Sequence, residues 1–172
     1  LRRPCPILAT DTAQTLHDRL AALGGTALVE ALALLQHGDA VLTAQDERLA
    51  CYARKLDKHE ALLDWRQDAA QLARAVRAFN PSPVAYTTLE NGQLLRIWAA
   101  QAVPDSVVAQ PPGSVLEQSK QGIAIATGQG VLQLTRLQLP GGRPLSAAEF
   151  LNAHTLRGQT LGTAAPAVQT AH

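Results

Sequence analysis

The chain of 172 residues contains no methionine. A translated polypeptide begins with one, so this sequence is expected to be a processed or partial chain. Cysteine is nearly absent: Cys5 and Cys51 lack metal-ligand spacing and are too few for a disulfide framework. A reducing, cytoplasmic setting is the resulting expectation. Aromatic residues make up only 3% of the chain, too few for a surface that binds single strands by stacking on bases. No 18 apolar residues run without interruption, so no membrane span is expected. The start, LRRPCPILATD, has too short an apolar stretch for a signal peptide. HExxH, GxSxG, a Gly-rich phosphate loop and paired Cys/His spacings are missing. The five histidines are scattered and read as surface or capping residues.

What is present begins with a core-forming composition. Apolar residues reach 47% and mean hydropathy is near zero, which suits a small globular body. Net charge is only +1, but it is unevenly placed. Residues 1–47 carry three basic and six acidic side chains, and residues 48–80 carry seven basic against four acidic. A local basic excess suits either a solvated face or a polyanion.

Along the chain, Asp11 with Gln14 reads as a capping box. Leu16, Leu20 and Leu23 then form the stripe of a helix that is expected to end at Gly24-Gly25. Leu28, Leu32 and Leu35 line a second helix, with Gly38 at its end. From Asp39 to Asp64 periodicity is weak, as in a linker, and Trp65 is placed to anchor that linker to the next helix. Asp68 and Gln71 open this helix, which is striped by Leu72, Val76 and Phe79 and closed by Asn80-Pro81.

After Pro83 the period changes to that of strands. Segments Ala85–Leu89 and Leu94–Ala102 flank Asn91-Gly92, a strong hairpin signal. Val103–Pro112 reads as a loop. Segments Val115–Gln118, Ile123–Thr127 and Val131–Leu139 come next, and a bulge near Thr135-Arg136 would turn Leu132, Leu134, Leu137 and Leu139 all inward. Five short strands suggest a small, partly closed barrel. Ser146 and Glu149 open a short helix that buries Phe150, and the tail after Gly162 is expected to be disordered.

One stretch carries a family resemblance. Arg77-Ala78-Phe79-Asn80-Pro81-Ser82-Pro83 resembles the RAFNPWP signature of methionyl-tRNA formyltransferases, with Ser82 in place of Trp. Gln45-Asp46-Glu47, Tyr52-Ala53-Arg54-Lys55-Leu56 and Asp64-Trp65 precede it as the family's landmarks do. Arg96-Ile97-Trp98, Ala126-Thr127-Gly128, Leu137-Gln138, Ser146-Ala147 and Leu151-Asn152 come after it in order. The resemblance spans about Pro4 to Gly162.

It implies an α+β chain in four parts. Residues 1–40, two helices, would end a Rossmann-like formyltransferase domain whose front half is missing. Residues 41–57 would be the linker, 58–162 an OB-like, five-stranded tRNA-binding barrel with its leading helix, and 163–172 the tail. With much of the catalytic sheet missing, the first helices are expected to expose apolar surface. The whole enzyme would move a formyl group from 10-formyltetrahydrofolate to methionyl initiator tRNA and act as a monomer. This part would bind neither donor nor membrane, and alone would be inactive. Arg54, Lys55, Lys58, Arg74, Arg77, Arg136 and Arg143 are the candidate tRNA contacts, because phosphates are met by cationic side chains. The family often has two lysines where Gly142 and Arg143 stand, so that contact is weakened here. Asn152-Ala153-His154 has the spelling of the family's catalytic Asn-x-His, but it falls at a C-terminal helix position with no partner Asp after it. The alternatives are a related formyltransferase or hydrolase acting on a sugar nucleotide or folate, or a non-catalytic lid or binding module.

Overall fold

The computed structural model describes residues 1–103, 106 and 108–163. They form two compact units, Leu1–Leu56 and a second from Asp57 onward.

The first unit is organised by one helix, α1 (Ala13–His37). Instead of two helices broken at Gly24-Gly25, the structure has one continuous helix. Glycine costs about 1 kcal/mol in a helix interior but leaves the N–H that proline lacks, so a pair weakens the helix without ending it. The cap also differs. Thr12 and Thr15 make the reciprocal box, while Asp11 accepts from Arg19 Nη2 at 2.5 Å and from Leu8 N at 2.7 Å. Gly38 closes the helix at φ 78°, a left-handed conformation that glycine adopts without strain. No residue of α1 is buried; Leu28, Val29, Leu32 and Leu35 are all more than half exposed. By length and composition alone α1 could cross a membrane.

The second unit begins with a 3-10 turn, Lys58–Ala61, capped by Asp57. Helix α2 (Ala69–Ala78) comes next, with the Asp68 carboxylate accepting from Gln71 N at 2.7 Å. Its stripe behaves as the spacing requires: Leu72 and Val76 are buried, and Phe79 packs against the core. The strands are β1 (Tyr86–Thr88), β2 (Leu94–Val103), β3 (Val115–Ser119), β4 (Gly122–Ala126), β5 (Val131–Gln138) and β6 (Leu145–Ser146). Six strands stand in place of the expected five. The extra one has two residues, too short for any periodicity to announce it.

The pairings between these strands are antiparallel, in the order β1-β2-β5-β4-β3 with β6 beside β5. Between β2 and β5 the register slips on either side of Ala99. Trp98 is the extra residue on β2 and Thr135 on β5, so Leu132, Leu134 and Leu137 are all fully buried. The segment Gln159–Gly162 runs between the two outer strands. Val115 N donates to Gln159 O (3.0 Å), Leu161 N to Gly113 O (2.8 Å) and Gly162 N to Thr88 O (2.8 Å). That segment satisfies edge groups that would otherwise be open for aggregation. Helix α3 (Ala147–Leu151) has a complete Ser146–Glu149 capping box and buries Phe150. Burying each such large apolar side chain is worth about 1.5–3 kcal/mol. The expected tail at 163–172 lies, except for Thr163, outside the described residues.

Candidate nucleic-acid interface

Several landmarks of the resemblance turn out to be joints of the second unit. The Trp65 ring is buried and its Nε1 donates to Thr87 Oγ1 at 3.0 Å. Gly128 N donates to Trp65 O (2.8 Å) and Gln67 O (2.9 Å); a Cβ at Gly128 would collide with the Arg66 carbonyl. Two motifs distant in sequence thus meet in one backbone contact. Asn80 Nδ2 donates to Trp98 O at 2.9 Å, tying the exit of α2 to the bulge of β2. Trp98 Nε1 donates to Gln138 Oε1, and Gln138 Nε2 to Gly142 O, both at 2.7 Å. Asn152 caps α3, and the His154 ring lies 4.9 Å from that of Phe150. These two are parts of a helix end rather than a proton-transfer pair.

The seven candidate cations fall on both units. Arg54 and Lys55 are exposed residues of the first. On the second, Lys58 opens the 3-10 turn, Arg74 and Arg77 lie on α2, Arg136 on β5, and Arg143 comes just after the β5–β6 turn. Spacing on α2 explains why Arg74 and Arg77 avoid the core stripe. Arg74 is exposed; Arg77 is half-buried and donates to Ala73 O at 3.2 Å. Arg143 is paired with Glu149 at 3.0 Å. The Glu149 carboxyl is held below its usual range, first by the Ser146 N–H and hydroxyl and then by Arg143. So Arg143 is partly neutralised before any ligand arrives. Among the described residues the side chains of Lys55, Lys58, Arg74 and Arg136 make no hydrogen bond or ion pair.

Sequence reasoning missed Arg96. It is exposed on β2, directly opposite Gln138, and its side chain is likewise unpaired among the described residues. The strand parity after Asn91-Gly92 could have found it: Leu95 and Ile97 are buried, so Arg96 faces water. Two further arginines are already paired. Arg66 pairs with Asp64 and Arg48 with Asp46, each at 2.8 Å, which lowers both carboxyls from their ordinary values. A cavity of about 410 Å³ lies beside Trp65, lined by Leu62, Asp64, Arg66, Pro112 and Leu161 among others. Among the described residues its lining holds one arginine, the paired one, and the His59 side chain. No group of three or more potential metal ligands occurs among the described residues.

A family model described as "Formyl transferase, C-terminal domain" matches residues 55–155. The chain belongs to that family. It is 51% identical over 150 residues to a methionyl-tRNA formyltransferase of Coxiella burnetii (strain RSA 493 / Nine Mile phase I), covering 87% of this chain and 47% of that protein. A methionyl-tRNA formyltransferase of Methylococcus capsulatus is 49% identical over 162 residues, 94% of this chain and 52% of the relative. The chain therefore spans about half the length of these relatives. Among solved structures, HypX from Aquifex aeolicus in complex with tetrahydrofolic acid superposes with a TM-score of 0.55 at 24% identity, over 72% of this chain and 22% of HypX. That likeness is one of fold.

Proposed function

We propose that this chain is the C-terminal part of a methionyl-tRNA formyltransferase and supplies the enzyme's hold on tRNA. The observation that carries the reading is identity near one half, over most of the chain, to relatives of that name. In the whole enzyme the formyl carbon would leave N10 of 10-formyltetrahydrofolate for the α-amino nitrogen of methionyl initiator tRNA, and the amine would lose a proton. The donor site and that chemistry belong to the half of the relatives that this chain does not span. The sheet of the second unit is read as the OB-like module. Helix α1 is read as the end of the Rossmann-like domain, its open apolar face covered by the preceding part of the protein. A match over 162 of 172 residues runs into α1, which supports a protein partner for that face over lipid.

The enzyme would work in the cytoplasm, as a monomer. Its contacts to tRNA would come from Arg54, Lys55, Lys58, Arg74, Arg77, Arg136 and Arg143, through phosphates and shape rather than base stacking. The test is an assay of the full gene product beside the 172-residue chain, with 10-formyltetrahydrofolate as donor. Formylation of methionyl initiator tRNA by the full product, and none by the chain alone, is the expected result. Turnover by the chain, or formylation of an amino sugar nucleotide in place of the tRNA, overturns the reading.

A further inference from the structure

We propose that the solvent face of β2 and β5, centred on Arg96 and Arg136, is a binding surface for the phosphodiester backbone of duplex RNA. It rests on the reading of this chain as a tRNA-holding part. It adds a location, and it adds Arg96 to the candidate contacts.

The register places the two guanidinium groups. Arg96 stands opposite Gln138, and Arg136 is two residues from Gln138 with no bulge between them. All three side chains leave the same face of the sheet. Arg96 and Arg136 are diagonal neighbours, about 7–8 Å apart at the backbone. Both are exposed, and neither side chain has a partner among the described residues. Five other arginines are held instead: Arg3 by Glu30, Arg19 by Asp11, Arg48 by Asp46, Arg66 by Asp64 and Arg143 by Glu149.

The cross-strand neighbours of the pair are Tyr86, Gln138, Ala99 and Ser146, none of them acidic. The carboxylate next to Ser146, that of Glu149, is occupied by Ser146 N at 2.8 Å, Ser146 Oγ at 2.9 Å and Arg143 at 3.0 Å. Two like charges on one face with no counter-charge repel each other, and a bound polyanion relieves that repulsion. Arginine suits the task, because its planar fork matches phosphate oxygens and its long stem reaches out to them. The face is also pre-set. Gln138, the residue between the pair, is fixed by Trp98 Nε1 and by Gly142 O, while Asn80 holds the Trp98 backbone. A surface already ordered loses less entropy on binding.

The experiment titrates the 172-residue chain with initiator tRNA at several salt concentrations. It compares the unsubstituted chain with Arg96→Glu/Arg136→Glu, Arg74→Glu and a control reversal off the face, Lys120→Glu, each checked by its thermal unfolding midpoint. The double reversal should weaken binding about tenfold per arginine and lower the salt slope by about two. Lys120→Glu should do much less, and Arg96→Lys/Arg136→Lys should keep the slope. If the double reversal does not fold, Arg96→Gln/Arg136→Gln gives the same reading with smaller loss. A double variant that binds like Lys120→Glu, while Arg74→Glu weakens binding, overturns the face and leaves the tRNA reading standing. Absence of binding by the unsubstituted chain at low salt removes both.

Discussion

Helices α1 and α2 make the instructive comparison. The first has 25 residues, a complete capping box and a left-handed glycine at its end, yet buries nothing. The second has 10 residues and a single side-chain cap, yet buries Ala69, Leu72, Ala73 and Val76. Local signals make a helix; only a partner surface gives it a place in the cooperative core. In the second unit that partner is the sheet, and in the first unit the described residues leave the apolar side chains of α1 uncovered.

The largest expected effect of that difference lies in side-chain truncation. Leu134→Ala empties a fully buried site and should cost about 2–5 kcal/mol in urea unfolding. Leu32→Ala on α1, where the side chain is 57% exposed, should stay within about 0.5 kcal/mol. Equal costs would show that α1 is packed after all.

A smaller loss is expected where one buried hydrogen bond is removed. Trp65→Phe keeps most of the ring but leaves Thr87 Oγ1 without its donor, and should lower stability by about 1–3 kcal/mol. Comparing the variant's unfolding midpoint with that of Thr87→Val separates the lost bond from lost packing.

The caps should differ in the same sense. Asp68→Ala should cost about 1 kcal/mol in the main unfolding transition. Thr12→Ala should leave that transition where it is and reduce only the helix content seen by circular dichroism below it.

The gentlest probe is pH. The Arg19 guanidinium, then the Leu8 N–H, hold the Asp11 carboxyl down at about 2 against an ordinary 3.8. Because the folded value is depressed, the contribution of this pair is complete above pH 3.8 and is lost as pH falls through about 2. Carboxyl-carbon NMR should place the Asp11 midpoint there, and Arg19→Ala should return it toward 3.8.

Much of the second unit could be read from residue order. The Leu72–Val76–Phe79 stripe, the Asn91-Gly92 hairpin, the bulge near Thr135 and the Ser146–Glu149 cap are local patterns, and local patterns survive folding. What could not be read depends on partners far along the chain. Gly24-Gly25 looked like an ending because the cost of a glycine says nothing about whether its neighbours continue the helix. β6 exists only because Arg136 and Leu137 lie beside Ser146 and Leu145. The same holds for the candidate site. Arg143, a candidate contact by residue type, is paired with Glu149, while Arg96, present in the sequence only as part of a family landmark, is unpaired among the described residues. Some of the motifs that revealed the family, such as Asp64-Trp65 and Ala126-Thr127-Gly128, mark backbone joints of the fold, while others carry exposed cations, Arg54, Lys55 and Arg96 among them.

The proposed hold of this chain on tRNA is through phosphates. Its most direct test is the affinity of the 172-residue chain for initiator tRNA as salt is raised from about 50 to 200 mM, a range over which several phosphate contacts cost orders of magnitude in affinity. Contacts of this kind give binding at the lower concentration and a steep linear fall of log K with log salt. Binding that is absent at the lower concentration, or that stays level across the range, contradicts it.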